Sequence, residues 1–304
     1  SAQKDKSYGL NGSNSDLPKF IDTMTGNVTT MKSSSSIHEQ ALVSLFGRVM
    51  YSYDDRYLFS ASIRRDGSSR FKDGHRFGSF PSVSVGWNIN REKFFRPLEN
   101  IFDQVKLRLS YGKLGNQEMD SYYPTLSVVS DGMNYLQGNS IWFGKLPFVN
   151  AVSPDNLTWE NTETYNIGID YGFLNNRISG TIDYYWRNTK DLLNDIFVPA
   201  GSNFTNRIET NIGDMESKGL EIGVNLVPIQ TKDWEWNISG NFTWNASKIT
   251  KLNTIDNESN YVKTGNAGGT GRYLQVHMVG ETPNTYYLLK QAYDENGQPL
   301  DGKY

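Results

Sequence analysis

The chain has 304 residues, with 30 basic and 33 acidic side chains and a formal net charge of -3. It carries no lysine- or arginine-rich run, which argues against nucleic acid as a partner. It has no cysteine, which removes disulfide frameworks and thiolate metal sites, and His38, His75 and His277 lie too far apart for metal-ligand spacing, so no metal or other cofactor is expected.

No stretch approaches the roughly 20 apolar residues of a membrane-spanning helix. A mean hydropathy of -0.58 would ordinarily indicate a soluble chain. That inference fails for a transmembrane β-barrel, whose strands alternate lipid-facing and lumen-facing residues and so average out polar.

Residues 1–40 are rich in Ser, Thr, Asn and Gly and are expected to form a polar loop. From residue 41 to 252 the period is two. In "ALVSLFGRVMYSY" one face carries Val43, Leu45, Gly47, Val49, Tyr51 and Tyr53, and the other Ser44, Arg48 and Ser52, joined there by Phe46 and Met50. A tight turn at Asp54, Asp55 and Arg56 leads into "YLFSASIRR", which reads as the second half of a hairpin. After the polar loop "DGSSRFKDGHR" come "FPSVSVGWNIN" and "VKLRLSYGK", linked by "REKFFRPLEN", long enough for a turn of helix.

A long loop from about 115 to 160 precedes "TYNIGIDYGF" and "RISGTIDYYW", joined through Leu174, Asn175 and Asn176. The last hairpin pairs "GLEIGVNLV" with "DWEWNISGNFTWNAS", and residues 253–304 read as one long loop region. About eight strands and no long helix are therefore expected. Short and long connections alternate, as in outer-membrane barrels, where turns are short on the periplasmic side and loops long outside.

In a sandwich the apolar face would pack a core and aromatics could fall anywhere along a strand. Here Tyr51, Tyr53, Tyr57, Tyr171, Trp234 and Trp236 flank the short turns, while Tyr111, Tyr184, Trp186 and Trp244 lie toward the long loops. Such belts suit rings at a membrane interface. The other face carries Arg48, Arg64, Lys106, Arg108, Asp170, Asp183, Arg187 and Glu221, too many charges for a dry interior. They are expected to line a wet or plugged lumen, pairing with one another or with a plug.

Five stretches, in order and spacing, resemble the SusC/RagA family of TonB-dependent outer-membrane transporters of Bacteroidetes. They are "FGRVMYSYDDRYLFSASIRRDGSSRF", "FGSFPSVSVGW", "VKLRLSYGKLGNQ", "DNLTWENTETYNIGIDYGFLNNRISGTIDYYWRNTKDLL" and "NIGDMESKGLEIGVNLVP". The resemblance implies an all-β, antiparallel 22-stranded barrel in the bacterial outer membrane. It also implies an N-terminal plug, a TonB-contacting segment and a SusD-like surface lipoprotein as lid. With about eight strands, the chain is expected to be a barrel fragment lacking the plug, the TonB-contacting segment and the remaining strands.

Other motifs carry less. "DENGQPLDG" lacks the alternating ligands and terminal glutamate of a calcium loop, and "GNAGGTGR" opens no helix that would cradle a phosphate. Loop acids such as Asp155 with Glu160, or Asp191 with Asp195, have no feature that fixes them as a catalytic pair, so no enzyme activity is expected. Tyr122, Tyr123, Tyr135, Trp142 and Phe143, in the long loop, are the candidates for contact with substrate or lid; packing of the loop against its neighbours is the competing reading. The expected function is import of oligosaccharides, or of peptides or glycopeptides, driven through TonB. The alternative is a surface adhesin or structural β-protein.

Overall fold

A computed structural model describes residues 2–13, 30–126, 128–137, 140–151, 154, 156–197, 207–253, 261–266 and 273–300. Its strands in chain order are β1 (Ala2–Ser13), β2 (Thr30–Tyr53), β3 (Tyr57–Ser68), β4 (Phe77–Asn88), β5 (Phe102–Asn116), β6 (Val128–Gln137), β7 (Ser140–Ala151) and β8 (Glu160–Phe173). They continue as β9 (Ile178–Lys190), β10 (Leu193–Phe197), β11 (Arg207–Asn211), β12 (Gly213–Gln230), β13 (Glu235–Leu252), β14 (Tyr261–Asn266), β15 (Tyr273–Met278) and β16 (Thr285–Tyr286). Nine of them form one sheet in the order β1, β2, β3, β4, β5, β8, β9, β12, β13, and every neighbouring pair is antiparallel.

The register carries the alternation across the sheet. Val85 pairs with Leu109, Leu109 with Ile167, Ile167 with Tyr184, Tyr184 with Leu220 and Leu220 with Trp244, so these side chains share one face. One residue along, Gly86, Arg108, Gly168, Asp183, Glu221 and Thr243 line the other. Each of these six strands thus has one apolar and one polar side.

The apolar face is not buried. Leu45 is 75% exposed, and Val49, Tyr51, Ile167, Ile182, Ile238, Phe242 and Trp244 are exposed with it. An apolar surface running across the eight strands from β2 to β13 of this sheet far exceeds what a water-soluble monomer leaves uncovered, and it has the extent of a membrane-facing wall. Few side chains are buried among the described residues, and one cluster of them, Phe71, Phe80, Leu157 and Trp159, lies at the long-loop end.

The short turns match expectation. Asp54 and Asp55 adopt φ of 51°, and Asn175 and Asn176 of 56°, a left-handed conformation that short Asx side chains tolerate better than most. The connection from β4 to β5 holds two short 3-10 helices, Ile89–Arg91 and Lys93–Leu98. Beside them Glu92 accepts from Tyr57 Oη at 2.6 Å and Trp87 Nε1 at 3.1 Å, and these hydrogen bonds hold its carboxyl below the ordinary range.

The expectation of loop over residues 1–40 requires correction. β1 pairs residue for residue with the first half of β2, from Ala2 opposite Ala41 to Ser13 opposite Thr30. This hairpin was hidden because its strands are polar on both faces and so carry no hydrophobic period. Its cross-strand contacts are polar too, such as Lys4 with Glu39 and Gln40 with Gln3. The main sheet consequently has nine strands, against eight expected. The long loop from 115 to 160 contains the β6 and β7 hairpin, and the region after 253 contains the three-stranded sheet of β14, β15 and β16.

Candidate functional site: the polar wall and the long-loop mouth

All eight charged residues anticipated on the polar side fall there by register. Arg108 is the hub. Its Nε donates to Asp170 Oδ1 at 2.7 Å and its Nη2 to Asp183 Oδ2 at 2.9 Å, so two carboxylates on neighbouring strands share one guanidinium. Lys106 sits directly opposite Asp170 in the ladder, and Glu221 directly opposite Asp183. Gly168, between Arg108 and Asp183 in the same row, leaves the space through which the arginine reaches.

The remaining basic residues are held by polar neighbours. Arg48 Nε donates to Ser60 Oγ at 3.2 Å, and Arg64 to Asp66 Oδ1 at 2.8 Å and Ser44 Oγ at 3.3 Å. Arg187 lies over the Tyr185 ring at 5.5 Å. Of these three, only Arg64 meets a carboxylate, whereas Arg48 and Arg187 rest on uncharged polar and aromatic groups. Phe46 and Met50 do share this polar side and are exposed on it.

At the long-loop end the "DGSSRF" turn is a clamp. Arg70, 6% exposed, donates from Nε to Gln40 Oε1 at 3.0 Å and from Nη1 to the carbonyls of Gln117 and Met119, both at 3.1 Å. Its guanidinium also faces the Tyr122 ring at 5.4 Å. Phe71 follows it into the core against Trp159, whose Nε1 donates to the Arg76 carbonyl at 3.1 Å. One turn thus ties β2, the segment after β5 and the segment before β8 together.

Tyr122 and Tyr123 are engaged by this assembly. Tyr122 stacks on His38 with centroids 4.9 Å apart and donates to Asp5 Oδ2 at 2.8 Å, which pushes its phenol above the ordinary range. The Glu39 backbone N–H donates to Tyr123 Oη at 2.9 Å. Tyr135 and Trp142 are register partners in β6 and β7, and Phe143 follows Trp142; the side chains of these three lie outside the described residues. Of the five aromatics, Tyr122 and Tyr123 are thus held in one assembly with β1 and β2. The structure adds Arg70, His38 and Asp5, which no local sequence pattern marks.

Two openings lie beside the clamp. A small pocket of about 110 Å³ is lined by Glu118, Asp120, Asp195 and Glu209 with Met119 and Leu193. Burial raises the Glu209 carboxyl above its ordinary range; its Oε1 accepts from the Ser121 N–H at 2.9 Å while its Oε2 has no partner. Among the described residues no grouping of His, Asp and Glu could hold a metal ion. The second opening is a polar cleft of about 300 Å³ between β10 and the β14 and β15 pair, reached by Asp120, Asn194, Asp195, Lys263, Tyr273 and His277. Of the loop acids considered for catalysis, Asp155 lies outside the described residues, and Glu160 accepts from the Leu193 N–H and the Asn116 amide. In "DENGQPLDG" Asp294 Oδ1 accepts from the N–H groups of Asn296 and Gln298, at 2.9 and 2.7 Å, which is turn chemistry.

The family model for TonB dependent receptor-like β-barrels matches residues 3–299. The TonB-dependent receptor SusC of Bacteroides thetaiotaomicron is 42% identical over 86% of this chain and 26% of its own length. The TonB-dependent receptor P3 of Formosa agariphila is 33% identical over 87% of the chain and 26% of its length. The chain thus spans about a quarter of the length of these relatives. Among solved structures, the RagAB peptide transporter superposes with a TM-score of 0.75 at 27% identity, over 100% of this chain and 33% of that one. These likenesses agree with the antiparallel sheet and its two unlike faces: the chain belongs to the SusC/RagA family of TonB-dependent receptors, β-barrel proteins of the bacterial outer membrane.

Proposed function

We propose that this chain forms part of the wall and outer mouth of a TonB-dependent importer for oligosaccharides or peptides. The observation that carries the reading is the sheet itself, whose apolar face exposes large side chains from β2 to β13 while its polar face holds the paired charges of Arg108, Asp170 and Asp183. The apolar face meets lipid, and Arg48, Arg64, Lys106, Arg108, Asp170, Asp183, Arg187 and Glu221 line the lumen. No substrate bond is broken; the wall supplies a passage, and the energy comes through the TonB complex acting on a plug.

The partner in this reading is a SusD-like surface lipoprotein that closes over the long-loop end. Support for peptides comes from the likeness to the RagAB peptide transporter, at 27% identity. Support for a saccharide comes from the polar cleft, where Asp120, Asn194, Lys263 and His277 offer hydrogen-bonding groups beside the Tyr273 ring. Tyr122, Tyr123, Tyr135, Trp142 and Phe143 belong to the mouth, where the first two act by holding it in shape.

The test is uptake. Deletion of the gene in its native host is expected to abolish growth on one class of oligosaccharide or peptide, with rescue by the intact gene and not by a version lacking TonB coupling. Unchanged uptake of both classes, with loss of surface attachment instead, would favour the adhesin reading.

A further inference from the structure

We propose that the apolar face carries a specific site for a phosphorylated, acylated lipid of the outer leaflet. A groove of about 430 Å³ runs over β4, β5, β8 and β9, lined on the apolar side by Val83, Val85, Leu109, Ile167, Tyr184 and Trp186. It has room for a single acyl chain.

At the long-loop end of the groove the register sets out a headgroup site. Tyr111, Tyr165 and Trp186 lie side by side in one ladder row, with ring centroids 5.0 and 6.0 Å apart. Lys218 is the next residue in that row, directly opposite Trp186. Two positions further along the strands the apolar side turns charged, with Lys113 opposite Glu163, and Glu216 between Asn188 and Lys248. Lys190, opposite Asn161, follows.

Four lysines therefore face two carboxylates at this level. Only Lys248 is bridged, to Glu216 at 3.5 Å, whereas Lys113, Lys190 and Lys218 have no ion-pair partner among the described residues. A cation immediately above an aromatic shelf, with an apolar groove below, matches the order of phosphate, interface and acyl chain in a lipid.

The inference rests on the apolar face meeting lipid, and the experiment separates the two. Full-length protein, stripped of lipid in detergent, would be titrated with monophosphoryl lipid A and with the same molecule lacking its phosphate, and bound lipid counted by native mass spectrometry. The phosphorylated form is expected to bind about tenfold more tightly, and a Lys113→Gln, Lys218→Gln variant to lose that preference. Ile167→Trp, which fills the groove, is expected to weaken both forms alike. Equal binding of the two lipids by the unmodified protein overturns the site while leaving the lipid-facing wall intact. Failure of the protein to insert into lipid vesicles at all would overturn the wall, and the site with it.

Discussion

Arg108 on β5 reaches over Gly168 on β8 to Asp183 on β9, with Nη2 2.9 Å from Oδ2, so one guanidinium ties three strands together through the one residue type that leaves it room. A Cβ at Gly168 would run into Asp183 Oδ1 and lie 2.8 Å from Arg108 Nη2. Gly168→Ala is therefore expected to cost about 1–3 kcal/mol through overpacking and loss of the ion pair. Gly47→Ala on β2, where an added Cβ meets nothing within 4 Å, serves as control and should change stability little. Urea unfolding of the full-length protein reads both, and equal shifts would contradict the packing account.

The Arg70 clamp makes a separate claim about the mouth. Arg70→Ala removes three charge-assisted hydrogen bonds and leaves the carbonyls of Gln117 and Met119 without that donor. A local loss of about 2–4 kcal/mol is expected. Hydrogen exchange should rise over residues 117–126 while the strands β3 and β4 keep their protection. Arg70→Lys is expected to recover only part of it, because an ammonium cannot reproduce the fork of the guanidinium. Unaltered exchange in Arg70→Ala would remove the clamp from the account.

What could be read from the sequence followed from periodicity. The main-sheet strands β3, β4, β5, β8, β9, β12 and β13, with β2 from residue 41 on, announce themselves because residues such as Val83, Val85 and Trp87 alternate with serines and glycine, and the register keeps each set on one side. The β1 and β2 hairpin gave no such signal, since neither of its faces is apolar. Arg70 escaped notice for a different reason: its partners lie 30, 47 and 49 residues away, and only the folded chain brings them together. The same holds for Gly168, whose role depends on side chains from two other strands. The charges of the polar face were legible as a set, but the choice of Arg108 as their hub was not.

Glu209 gives the mouth a pH dependence. Burial raises its carboxyl above the ordinary 4.5, so the folded state holds the proton more tightly than the unfolded state does. Its contribution to stability is full below 4.5 and is lost as pH rises through the elevated folded value. Exchange over residues 118–123 should accordingly be slower under acidic conditions than at neutral pH. Glu209→Gln keeps an oxygen for the Ser121 N–H and removes the charge, so it is expected to protect this segment at neutral pH and to flatten the response. The same pH response in the variant would place its origin elsewhere.

The central claim is that the two faces of this sheet meet different media. Ile182 lies on the apolar side midway between Ile178 and Trp186, and Asn241 lies exposed on the polar side of β13. The most direct measurement is folding of full-length Ile182→Arg and Asn241→Arg proteins into lipid bilayers, read as the free energy of folding relative to the parent. An arginine at a lipid-facing, mid-membrane position is expected to cost about 2–4 kcal/mol, and one on the lumen wall well under about 1 kcal/mol. Equal penalties at the two positions, or a larger one at Asn241, would contradict the assignment of the faces.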